Sequence, residues 1–175
     1  MKTLKDHINE ALKIGRDLSN FSTYSCQPKT KEELKKIIEE RISKEGPNCD
    51  LNDIDVSQID DMSYLFFESK FRGNISKWNV SNVEDMCAMF MDSKFNGDIS
   101  KWDVSNVTRM AGMFMNSEFN GDISKWNVSN VNNMAGMFDN SKFNGDISKW
   151  NVSKVKNMSG MFNECPIKDE FKPVF

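Results

Sequence analysis

Four lysines recur at one spacing, Lys77, Lys101, Lys125 and Lys149, and each stands two positions before an amide or a carboxylate: Asn79, Asp103, Asn127 and Asn151. An ammonium beside a hydrogen-bonding side chain, repeated at a fixed interval, suits a strip that binds an extended partner, because repeat proteins chiefly offer surface. Carboxylates recur too, at Asp98, Asp122 and Asp146, each after a glycine. One carboxylate per 24 residues supplies too few oxygens for calcium, which takes six to eight, so no metal site is expected. The one histidine, His7, stands alone near the N-terminus, which leaves no histidine-based triad or zinc centre to assemble. No glycine-rich phosphate loop precedes a helix. The four cysteines, Cys26, Cys49, Cys87 and Cys165, are scattered without a CxxC and read as reduced thiols. The expectation is a non-enzyme without cofactor or metal.

What must position the lysines is a unit stated four times. The run from Phe71 to Val83 returns at Phe95, Phe119 and Phe143, and Trp78, Trp102, Trp126 and Trp150 fix the period at 24 residues. A fixed period in this range predicts a solenoid of stacked units. Ile123, Trp126 and Val128 follow the L-x-x-L-x-L frame, which predicts a short strand. Val131, Met134, Met137 and Phe138 then recur at helical spacing after Ser129, which predicts a short capped helix. Gly73, Gly97, Gly121 and Gly145 are placed for a positive φ in the turn between units. The fold class expected is therefore α/β, a leucine-rich-repeat-like solenoid with an N-terminal helical cap. The strand side of the unit is monotonous; the helical side varies, from Glu84-Asp85 through Thr108-Arg109 and Asn132-Asn133 to Lys156-Asn157.

The chain divides into four parts. Residues 1–29 hold an amphipathic helix over about 3–18, carried by Leu4, Ile8, Leu12 and Leu18, and a linker in which Phe21 or Tyr24 is available as a pin. Residues 30–46 are a capping helix: Thr30 and Glu33 fit a capping box, Leu34, Ile37, Ile38 and Ile42 make the apolar stripe, and Gly46-Pro47 stop it. Residues 47–166 are one degenerate and four full repeats, with Leu51, Ile54, Val56, Ile59, Met62, Leu65 and Phe66 in the degenerate core positions. Residues 167–175 are a C-terminal cap in which Ile167, Phe171, Val174 and Phe175 cover the last unit.

A net charge of −3 argues against a protein that tracks a nucleic-acid backbone. No apolar run reaches the length of a membrane span, and the first residues lack the apolar core of a secretory signal. A cytoplasmic place in a bacterial cell is expected.

Two resemblances add to this. The unit Phe-Asn-Gly-Asp-Ile-Ser-Lys-Trp-Asx-Val-Ser-Asn-Val-x-x-Met-x-x-Met-Phe resembles the BspA-like bacterial surface-protein repeat over residues 47–166. That resemblance implies a leucine-rich-repeat-like fold and, for exported members, adhesion to host proteins. The stretch Met1 to Ala11 resembles the capsid-targeting peptide of tailed bacteriophages, which implies cleavage between Glu10 and Ala11, packaging in the virion, and inhibition of a host defence enzyme after delivery. The residues by themselves favour a non-catalytic protein–protein interaction module with a protein partner. The head-packaged inhibitor is the alternative, and a surface adhesin comes third.

Overall fold

The structure is a computed structural model, and it describes residues 24–174. The amphipathic helix expected over 3–18, His7, Phe21, the Glu10–Ala11 cleavage site and Phe175 lie outside the described residues.

One helix, α1 (Lys31–Glu45), opens the described chain. Thr30 accepts the Glu33 amide through its hydroxyl at 3.2 Å, while the Glu33 carboxylate reaches back to the Lys29 amide at 2.8 Å. One orphan donor of the first turn and the amide just ahead of the cap are thereby served. At the other end Gly46 adopts φ +87 and donates to the Ile42 carbonyl, a left-handed stop that a Cβ would strain. Leu34 and Ile38 are wholly buried.

The α/β leucine-rich-repeat-like solenoid does not form. Among the described residues there is no strand, only isolated parallel bridges, and no helix inside any repeat; α1 and a 3-10 turn at Asp169–Phe171 are the helical elements. Each 24-residue unit is instead a rung built of consecutive turns. In the third full unit Trp126 donates to Ile123, Val131 to Val128, Met137 to Met134 and Ser141 to Phe138, all from residue i to i−3. The apolar residues three apart that resemble strand and helix frames are the two ends of such turns. Side chains fix the corners: Asp122 accepts from the Ser124 amide, Asn127 from Ser129, and Asn133 from Ala135, at 2.9–3.2 Å. These short-range bonds give the backbone an alternative to a sheet ladder. Ser129 is thus a corner donor and not a helix cap.

The expected helix is blocked by backbone conformation. Gly136 and Asn140 have φ of +60 and +49, as do their equivalents Gly112 and Asn116 or Ala88 and Asp92, so a right-handed helical run cannot propagate. The glycines expected at positive φ, Gly73, Gly97, Gly121 and Gly145, are not the ones there. They are needed for space: a Cβ on Gly97 would lie 2.7 Å from the Phe95 ring.

Rungs join through four columns of backbone hydrogen bonds, each of four bonds at 2.8–3.0 Å, running from Met62, Tyr64, Phe66 and Glu68 to the carbonyls of the following rung and repeating to Asn157, Ser159, Met161 and Asn163. Inside them the side chains stack like on like. Phe66, Phe90, Phe114, Phe138 and Phe162 follow one another at 5.4–6.0 Å between ring centres, beside a second column from Phe71 to Phe143. Each tryptophan is buried and its indole N–H donates to a carbonyl of the preceding rung, as Trp102 does to Ile75 at 3.2 Å. A large ring whose polar atom finds a partner fills the core without a desolvation penalty.

The ends differ. Over the first rung α1 covers the half from Asp61 to Ser69, the turn half, with Lys31 on Asp61 and Ser63 and with Ile38 and Ile42 beside Leu65 and Phe67. Residues 25–26 pair with 53–55, Ser25 donating to the Asp53 carbonyl and Asp55 to that of Cys26. Over the last rung Ile147 donates to the Phe171 carbonyl and Ile167 is buried, but Val174, expected to help cover the rung, is 88% exposed.

Candidate functional site

Each rung presents the same short stretch on one face, from the corner Asp98, Asp122 or Asp146 to the amide or carboxylate at 79, 103, 127 and 151. Lys77, Lys101, Lys125 and Lys149 are all exposed there, because the residue after each is the inward tryptophan. Among the described residues no ion pair or hydrogen bond holds any of these four ammoniums. Their partners in the expected strip are differently employed. Asn79, Asp103, Asn127 and Asn151 each accept the amide of the serine two residues on, at 3.1–3.2 Å. They hold the corner first and face solvent second.

The strip includes a second column of charge, the carboxylates that follow the glycines. Asp98, Asp122 and Asp146 are exposed, and hydrogen bonds from Ser100, Ser124 and Ser148 hold each carboxyl below the usual carboxylate range. They stay anionic at any neutral pH. Asp122, Ser124, Lys125, Asp146 and Lys149 line a cleft of 360 Å³ between two rungs. A larger one of 600 Å³ lies at the head of the same face, lined by Tyr24, Arg41, Asp50, Asn52, Asp53 and Lys77. There the Arg41 guanidinium is tied to Asp53 at 3.0 Å and to Glu45 at 2.7 Å. The periodic asparagines and aspartates were visible in the sequence; Arg41 was not, because it reaches this face from the helix.

No group of histidine, cysteine or acidic residues among the described residues is placed to hold a metal ion. The Cys87 thiol is pushed up to about 11 by burial and by the neighbouring Asp85, so it stays protonated and a poor nucleophile at neutral pH.

A family model described as Mycoplasma protein of unknown function, DUF285, matches residues 33–140 and again residues 95–170. The chain belongs to this family. Two overlapping matches are what near-identical rungs produce, since either window satisfies one pattern. DUF285 membership agrees in a coarse sense with the resemblance to BspA-like surface repeats, while the likeness of Met1 to Ala11 to a phage peptide lies outside both matches. No curated protein and no solved structure matches the chain.

Proposed function

We propose that this DUF285 protein is a non-catalytic protein–protein interaction module that grips an extended segment of a partner along the lysine face. The observation that carries the reading is the column of four exposed ammoniums that no ion pair or hydrogen bond holds among the described residues, set beside a column of aspartates whose carboxyls lie below the usual range. Surface lysines in a folded protein often find a carboxylate; here lysines and aspartates alternate along one face without closing ion pairs. A segment of mixed charge laid along the rungs meets both signs at a regular spacing. Such a strip gives register and association rate more than raw affinity.

The test is affinity capture of a partner by the full chain and by the Lys101→Glu/Lys125→Glu double variant. A partner held by the first and lost by the second, with both proteins equally folded by circular dichroism, supports the reading. A partner held equally by both removes the lysine face from the function.

A further inference from the structure

The four hydrogen-bond columns have a direction. In each, the carbonyl of one peptide unit points to the preceding rung and its N–H to the following one: the Asp85 carbonyl accepts from Met62 while the Met86 amide donates to Arg109. Two flanking columns run the other way, led by Glu84 to Asp60 and Lys94 to Ser69, so the excess is toward donors at the C-terminal end. Peptide dipoles aligned head to tail leave partial positive charge where the N–H groups are unsatisfied. That end is the last rung, where the amides of Met158, Gly160, Phe162 and Glu164 occupy the four donor positions and have no acceptor among the described residues.

Side-chain charge follows the same direction. Ahead of the first methionine of each rung stand Asp60-Asp61, then Glu84-Asp85, Thr108-Arg109, Asn132-Asn133 and finally Lys156-Asn157; Lys154 replaces the asparagine of the inner rungs. The acidic end is already served, by Lys31 of α1, whose ammonium lies 2.6 Å from the Asp61 carboxylate. At the basic end Lys172 pairs with Asp169 and Lys168 with Glu170, and Lys154 reaches only the Asn130 amide oxygen. Lys156 has no partner. Met158 and Phe162, wholly or nearly buried at the equivalent inner positions, are only half-buried; Lys172 lies over the Phe162 ring at 5.5 Å, and a groove of 340 Å³ runs between Val152, Val155, Met158 and Val174 of the C-terminal segment.

We infer that the open half of the last rung is a second docking site, which takes a partner segment as an added rung. The four interior junctions define what fits. The segment runs parallel, offers carbonyls at every second residue to the four amides, sets apolar side chains on Met158 and takes the place of Lys172 over Phe162. Because pairing is parallel, the residues opposite Lys156 come first, so the segment reads acidic and then apolar. Asp60-Asp61-Met62 and Glu84-Asp85-Met86 have that order, but in this chain the first is under α1 and the second is already paired. A third run of that order, Asp169-Glu170-Phe171, is held in the C-terminal cap, where the Phe171 carbonyl accepts from Ile147; among the described residues all three are engaged, and the occupant is an acidic-then-apolar stretch of a partner protein. Addition of a backbone to an unpaired edge is an established mode of peptide recognition. This inference rests on the protein being a binding module and not on the lysine face.

The probe is a labelled synthetic peptide copying residues 60–68, with a version in which its two leading aspartates are lysines. Binding of the acidic peptide to the full chain, with slowed hydrogen exchange at Met158, Gly160, Phe162 and Glu164, is the expected result. The Lys154→Glu/Lys156→Glu variant weakens the acidic peptide by about tenfold and prefers the lysine version, whereas Lys101→Glu/Lys125→Glu changes neither. Absence of binding, binding without protection of those four amides, or indifference to the charge exchange overturns the site. Concentration-dependent protection of the four amides in the protein alone also overturns it and gives the edge to a second copy.

Discussion

At its N-terminal end the stack is covered on both halves: α1 lies over the turn half and residues 25–26 over the other, and Lys31 meets the acids that end presents. At its C-terminal end Ile167 and Phe171 cover one half, while among the described residues four amides of the other half have no acceptor, Met158 is only half-buried, and Phe162 meets no more than the Lys172 ammonium. The rungs between are nearly the same, so the contrast comes from what each end recruits. A rung has a donor edge and an acceptor edge, and each must be met differently. Carbonyls beside acids call for a basic helix; amides beside lysines call for something acidic.

Mutation can sharpen that contrast. The largest loss belongs to the middle, where Trp102→Ala opens a cavity and breaks the bond to Ile75; about 3–5 kcal/mol is expected in a urea melt. At the closed end Leu34→Ala is expected to cost about 3 kcal/mol, and the half-exposed Phe162→Ala at the open end only about 1 kcal/mol. Equal losses at the two ends would erase the distinction. Thr30→Ala removes the cap of α1 and should lower stability by about 1 kcal/mol, with faster exchange confined to α1 and the first rung beneath it.

Smallest are the titrations. Burial pushes the Asp61 carboxyl up, yet bonds from Lys31 and Ser63 outweigh it and hold it below the usual range. A depressed carboxyl stabilises the fold above its unfolded value and stops doing so as pH falls through the folded one. Lys31→Met should therefore flatten the acid limb of a stability–pH curve below about pH 4, by under about 1 kcal/mol for a partly exposed pair. Cys87 has the opposite sign. Its raised value means stability present below pH 9.0 and lost as pH climbs toward about 11, and alkylation of the folded protein should accelerate over the same interval.

Much of this architecture was legible. The period, the core columns and the bounds of α1 followed from Trp and Phe spacing and from Thr30, Glu33 and Gly46. The local conformation was not, because Val131, Met134 and Met137 three apart serve a chain of turns as well as a helix. What decides between them is a pair of left-handed residues four apart in each rung, and at Ala88, Asp92 or Glu164 nothing in the side chain announces it. In the candidate site the lysine column was plain from spacing. The corner role of Asn79 and Asp103 was hidden in the serine two residues later, and the open amides of the last rung are backbone, which no residue type marks.

The uniformity of the inner rungs has a consequence for heredity. Asp85 bridges Arg109 just as Arg109 bridges Asn133, so one 24-residue unit can be deleted or duplicated in frame while both ends keep their own covers. Unequal crossing-over within such a gene would lengthen or shorten the lysine face by whole steps. Lineages can then differ in the length of partner they grip without redesigning either terminus.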